Sequence, residues 1–153
     1  MIMDTPFEYK PHIRPVCLSF DAEFENHQLQ PGNKGKVAGW GLVGEDKRES
    51  PVLKVVDLPY IDNAKCSEDS RVDFKEYITL DKFCVGYLNS GIALCKGDSG
   101  GGVVFSTTHD GVERFFLRGV VSTAPQNQHK CNINVYTAMT RVSLYEHFIA
   151  PYY

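Results

Sequence analysis

The sequence has no run of about 18 apolar residues of the kind that crosses a bilayer. Nor does it have a basic start followed by an apolar stretch within Met1–Phe20, so the expectation is a chain with no membrane span and no export signal of its own. There is no Lys/Arg run beyond the pair Lys47-Arg48, which argues against a nucleic-acid surface and against a polybasic membrane anchor. There is no CxxC pair, and the spacing of Cys17, Cys66, Cys84, Cys95 and Cys131 fits no zinc site. No metal and no cofactor is therefore expected. What is present is an ordinary globular composition: 153 residues, 42% apolar and 12% aromatic, with a formal charge of -3. That is enough to bury one hydrophobic core and too apolar for disorder.

Five cysteines without a metal pattern read as disulfides, which implies an oxidising, extracellular compartment. The odd count leaves one thiol over, pointing to a partner on another chain or on a segment outside these residues. Along the chain, Pro6, Pro11, Pro15 and Pro31 interrupt a polar stretch with no sustained period, which predicts an extended connecting strap over the first thirty residues. Short apolar runs between turn signals follow, at 36–40, 52–58, 82–85, 102–105, 115–122 and 134–139. Runs of this kind predict an all-β barrel or sandwich. Asp62 is placed to cap a short helix over 63–67. The tail from Arg141 to Tyr153 sets Leu144 and Phe148 on one helical face, with Tyr145 and Ile149 beside them, and so predicts a docked C-terminal helix. No repeat or composition shift divides the chain.

The window Cys95-Lys96-Gly97-Asp98-Ser99-Gly100-Gly101-Gly102 holds the most chemistry. Glycines around a serine free the backbone so that amide N–H groups can face an approaching carbonyl oxygen, as nucleophilic catalysis requires. The same residue types also make tight turns with a bystander serine, and composition alone leaves both readings open.

The window resembles the GDSGG motif of the trypsin/chymotrypsin-like serine proteases, and other segments agree in order. Ile13–Leu18 is similar to that family's inter-barrel segment and Val37–Gly41 to its AGWG strand. Phe83–Gly86, Gly119–Ser122 and Val135–Thr137 fall where later strands are expected. The resemblance implies a C-terminal six-stranded antiparallel barrel, with a connector over 1–32, the barrel over 33–140 and a C-terminal helix over 141–153. It also implies Ser99 as nucleophile, an oxyanion hole from the N–H groups of Gly97 and Ser99, and an Asp98 that pairs with a new N-terminus after activation. By the same resemblance, Ser122, Thr123 and Ala124 border the substrate. Two disulfides follow from it, Cys66–Cys84 and Cys95–Cys131, and Cys17 pairs with a segment outside the chain. The implied partners are a protein or peptide substrate, the N-terminal half of the protease domain and upstream regulatory modules. Ala93–Lys96 and the extra Gly102 resemble the modular serine proteases of invertebrate immune cascades.

Three departures shape the expected function. Ala93 stands six residues before Ser99, where Arg- or Lys-selective members carry a carboxylate. Together with Leu94, Ala124 and Asn134 it implies a pocket for an apolar side chain, since a buried cation without a counter-charge is costly. His12 and His27 precede Ser99 in a Pro-rich stretch without the family's catalytic-histidine context, and His109, His129 and His147 read as surface or structural. Asp4 does not match the family's catalytic Asp, so the 153 residues alone are expected to be nearly inactive. The alternative is a non-catalytic homologue that keeps the barrel as a protein-binding module. Gly39, Gly41 and Gly44 also satisfy GxGxxG, but Glu45–Pro51 is charged and closed by proline where that motif needs a helix. Glu68 and Asp69 read as a solvated loop.

Overall fold

A computed structural model describes residues 3–43, 48–124, 132 and 134–152. Six strands close into an antiparallel barrel: β1 (Lys34–Gly39), β4 (Lys54–Ile61), β5 (Lys82–Val85), β8 (Thr137–Arg141), β7 (Val112–Thr123) and β6 (Gly102–His109), in that order around the wall. A separate two-stranded ribbon joins β2 (Leu42–Val43) to β3 (Arg48–Glu49). Closure leaves no strand edge of the barrel unpaired. Period-2 alternation explains which side chains fill it: Val37, Leu58, Phe83, Val85, Val103, Phe105, Val121 and Met139 all point inward and form one buried cluster. Each such side chain stabilises the fold by about 1.5–3 kcal/mol relative to exposure. Gly119 is dictated by this packing, because a Cβ there would lie 2.7 Å from the Phe83 ring.

The expected run at 82–85 is strand β5, and the others appear with shifted ends, the largest shift being at β6, which runs on from Phe105 to His109, while β4 runs on through Pro59 to Ile61. The first thirty residues are more than a strap. Helix α1 (Ala22–Gln28) starts at Asp21, whose carboxylate accepts the Phe24 N–H at 2.7 Å, and Leu29 joins the core cluster. An N-cap carboxylate and only seven helical residues leave too little sequence period to see. Ahead of it, Cys17 lies along β7: its N–H donates to Phe115 O at 3.2 Å and its carbonyl accepts from Leu117 N–H at 3.0 Å.

Helix α2 (Asn63–Asp69) is capped by Asp62 as expected, and runs two residues beyond Ser67. Glu68 and Asp69 are therefore helical rather than in a loop, and Lys65 bonds to Asp69 at 2.9 Å one turn away. A short helix α3 (Val72–Lys75) follows, with Phe74 buried. The tail opens with a 3₁₀ turn over Val142–Tyr145 before helix α4 (Glu146–Ile149). In a 3₁₀ turn residues i and i+3 eclipse, so Val142 and Tyr145 face the barrel. Leu144 (51% exposed) and Phe148 (67%) point outward, opposite to the face expected from α-helical spacing.

Candidate functional site

The Ser99 window is a loop joining the segment after β5 to β6. Its shape follows from two glycines with positive φ, Gly97 (+101°) and Gly100 (+83°), conformations that a side chain would strain. Two successive turns result: Asp98 N–H donates to Cys95 O and Gly101 N–H to Asp98 O, both at 3.0 Å. Strand β7 then grips the loop through Val121. The Val121 carbonyl accepts from Gly100 N–H at 3.0 Å, and its own N–H donates to Gly101 O at 2.8 Å.

Asp98 and Ser99 are separated by this geometry. The Asp98 carboxylate turns inward, accepting Gly41 N–H on Oδ1 and Cys95 N–H on Oδ2, each at 2.9 Å. Ser99 turns outward and is exposed. With the Asp98, Gly100 and Gly101 amides all donating within the loop and its neighbours, the N–H groups of Gly97 and Ser99 have no acceptor among the described residues. An exposed hydroxyl with free amides on its own residue and two before it is a constellation that can receive a carbonyl oxygen as it gains negative charge.

Sequence reasoning noted Gly39 and Gly41 only as a strand motif and as part of the nucleotide-binding pattern. Their role is to admit the Asp98 carboxylate, which occupies the space any Cβ at either position would take. The signal was in the sequence, a pair of glycines flanking Trp40, but the partner 57 residues away was not. After Gly41 the chain enters β2 and not a helix, which removes the GxGxxG reading; Gly44 lies outside the described residues.

Beside the loop a cleft of about 250 Å³ is lined by Gly39, Gly41, Lys54, Ile92, Ala93 and Asp98, with Leu94 at its inner wall and buried in the core. Of the expected pocket residues, Ala93 and Leu94 therefore lie with the Ser99 loop. Ser122, Thr123 and Ala124 follow Val121 directly, outside this cleft, and Asn134 is exposed in a turn where its N–H donates to Asn132 Oδ1 at 3.3 Å. Residues 125–131 and 133, between those two segments, are outside the described set, and with Cys131 goes its expected bond to Cys95. Cys66 and Cys84 form the other implied disulfide, and Tyr136 packs on it. Burial, and then the bond to Asp69 at 3.1 Å, push the Tyr136 hydroxyl pKa up. Cys17 is unpaired and half-buried.

Among the described residues no histidine or carboxylate hydrogen-bonds the Ser99 hydroxyl. His109 faces Asp110 at 3.1 Å on the β6–β7 hairpin and His147 stacks on Tyr145; His12 and His27 lie in the connector, and His129 is outside the described residues.

The family model described as Trypsin matches residues 1–149. Serine proteinase stubble of Drosophila melanogaster is 36% identical over 121 residues, covering 78% of this chain and 14% of that protein. Modular serine protease of Drosophila melanogaster is 35% identical over 156 residues, covering 97% and 22%. Clotting factor C of Tachypleus tridentatus is 30% identical over 152 residues, covering 98% and 14%. The chain thus spans a small part of the length of each of these relatives.

Proposed function

The chain belongs to the trypsin family, and from that premise we propose that it is the nucleophile-bearing part of a serine endopeptidase acting on protein substrates. The observation that carries this reading is the exposed Ser99 beside the N–H groups of Gly97 and Ser99, which have no acceptor among the described residues. In the family's chemistry, carried here onto these residues, Ser99 Oγ loses its proton to a histidine as it attacks the scissile carbonyl, and the tetrahedral intermediate collapses to an acyl-enzyme as the C–N bond breaks and the leaving amine takes that proton. The Gly97 and Ser99 amides hold the oxyanion of the tetrahedral intermediate, a contribution of about 3–4 kcal/mol per donor in related hydrolases. Asp98 takes the role of the buried carboxylate that an activation-generated amino terminus would claim. It would then exchange its present bonds to Gly41 and Cys95 for that ammonium.

None of the described histidines stands at Ser99, and His129 lies in a polar loop of the sequence. The general base and its orienting Asp are accordingly assigned to sequence other than these 153 residues. Loss of the histidine in such a triad costs about a millionfold in turnover, so the chain by itself is nearly inactive. The exposed apolar residues Phe7, Tyr9 and Val16 of the connector and Trp40 are consistent with a surface that the other half covers. Ala93 supports an apolar preference at the residue before the cleaved bond. The Cys66–Cys84 bond supports an oxidising, extracellular site of action, and the likeness to a clotting factor and a modular protease supports work in a proteolytic cascade.

The test is to express the chain within its native reading frame, activate it, and treat it with a fluorophosphonate that labels reactive serines. Labelling at Ser99, abolished in Ser99→Ala, with faster cleavage after Leu, Val or Phe than after Arg, supports the proposal. Arg-selective cleavage overturns the pocket assignment, while an activated protein that neither labels nor cleaves is a binding module.

A further inference from the structure

Of the 16 Lys and Arg residues, Lys10 and Arg14 alone precede a proline, and they are also the two basic residues of the chain ahead of Lys34. Both are exposed, but their backbones differ. Lys10 and Ile13 close a tight turn over Pro11 and His12: Lys10 N–H donates to Ile13 O at 3.1 Å and Ile13 N–H to Lys10 O at 3.0 Å. From Cys17 onward the chain is held along β7. Between these two fixed points Arg14, Pro15 and Val16 make no backbone hydrogen bond among the described residues. Lys10 lies 3.4 Å from Glu8, whereas no carboxylate pairs with Arg14 among the described residues. An arginine is seldom buried without a partner, so this side of the connector stays in solvent when another half covers its apolar side chains.

An exposed arginine on unengaged backbone is what an Arg-selective endopeptidase takes, because such enzymes bind the substrate as an added strand and need its N–H and C=O groups free. The residue that follows decides whether the bond is cut. In a prolyl bond the leaving nitrogen carries the ring Cδ in place of hydrogen, which crowds the carbonyl under attack and the imidazolium that must protonate that nitrogen. We propose that Arg14 is a latent cleavage site for Arg-selective proteases and that Pro15 closes it, keeping the connector in one piece within a proteolytic cascade. Lys10 is guarded twice, by Pro11 and by the turn that engages its carbonyl. A cut after Arg14 would part Ser99 from the N-terminal half, to which the histidine and its Asp are assigned. This protection matters where the chain works among such proteases, as proposed, yet the susceptibility of the bond is measurable with Ser99 replaced.

The test uses the full chain in its native polypeptide, carrying Ser99→Ala so that it cannot cut itself. It is treated with trypsin, and the products are mapped by intact mass and N-terminal sequencing. With both prolines present the connector should stay whole. Pro15→Ala should gain a cut after Arg14, and adding Arg14→Gln should remove it. Pro11→Ala should be cut after Lys10 about tenfold more slowly than Pro15→Ala is cut after Arg14, because two hydrogen bonds of the turn must open first. Absence of the Arg14 cut in Pro15→Ala overturns the proposal, as does a cut there with Pro15 in place. Simultaneous cutting of Pro15→Ala after Arg118, which is 1% exposed, also overturns it, because Pro15 would then be holding the fold and not guarding a bond. Equal rates in the two proline variants overturn the part assigned to the turn. None of these outcomes depends on whether Ser99 is catalytic.

Discussion

Asp98 and Ser99 are neighbours in sequence with opposite surroundings, and the two glycines with positive φ make that possible. Because Asp98 fills the space beside Gly41, Gly41→Ala must drive the carboxylate out of its two amide bonds. The expected cost is about 1–3 kcal/mol in chemical denaturation, from overpacking and from lost hydrogen bonds. Activation draws the carboxylate away from Gly41, so the same variant, once activated, should label at Ser99 with a fluorophosphonate at close to the unaltered rate. Slowed labelling would show that Asp98 keeps its place beside Gly41. Ser99→Ala differs in kind: an exposed hydroxyl is removed, so stability should stay within about 0.5 kcal/mol while labelling disappears.

Elements are held together at two kinds of joint. The C-terminal tail is held electrostatically: Asp81 accepts from Lys82, Thr79 and Tyr145, and these bonds, Lys82 first, keep its carboxyl well below the ordinary carboxylate range. A depressed folded pKa stabilises above the unfolded value of about 3.9 and loses that contribution as pH falls toward the folded value. The tail should therefore stay docked through mild acid and release only below about pH 3. Tyr145→Phe removes one of the three bonds, so the tail should detach at higher pH, read by amide exchange of Arg141, whose N–H bonds to Asp81 O at 2.8 Å. The second joint is covalent. Cys66–Cys84 closes a loop of sequence separation 18 over α2 and α3, and replacing both with Ala should cost about 2–5 kcal/mol. A loss confined to α2 and α3, with β5 amides unaffected, would mean the bond secures the loop without the barrel.

The whole molecule rests on the inward cluster of the closed barrel. Phe83, fully buried between β4 and β8, touches the space in which Gly119 has no side chain. Phe83→Ala should cost about 3–5 kcal/mol, a large share of the 5–15 kcal/mol that holds a domain of this size folded. A fall of under 1 kcal/mol in denaturant unfolding would show that the barrel collapses around the deletion.

Much of this was legible residue by residue. Short apolar runs between turn signals marked the barrel strands, Asp62 marked its helix, and the glycine-flanked serine with its ordered neighbours marked the family, because those signals are local. The seven-residue helix α1 was not legible, since its buried face is polar and answers to Arg118, 90 residues from Gln28. The outward turn of Leu144 and Phe148 was set by a 3₁₀ turn that local spacing does not announce. The sequence alone determined the family and which segments form the strands that enclose the core. Only the tertiary structure decided that Gly39 and Gly41 admit Asp98 and that Val121 grips the Ser99 loop, because those contacts join residues whose proximity exists only once the barrel closes.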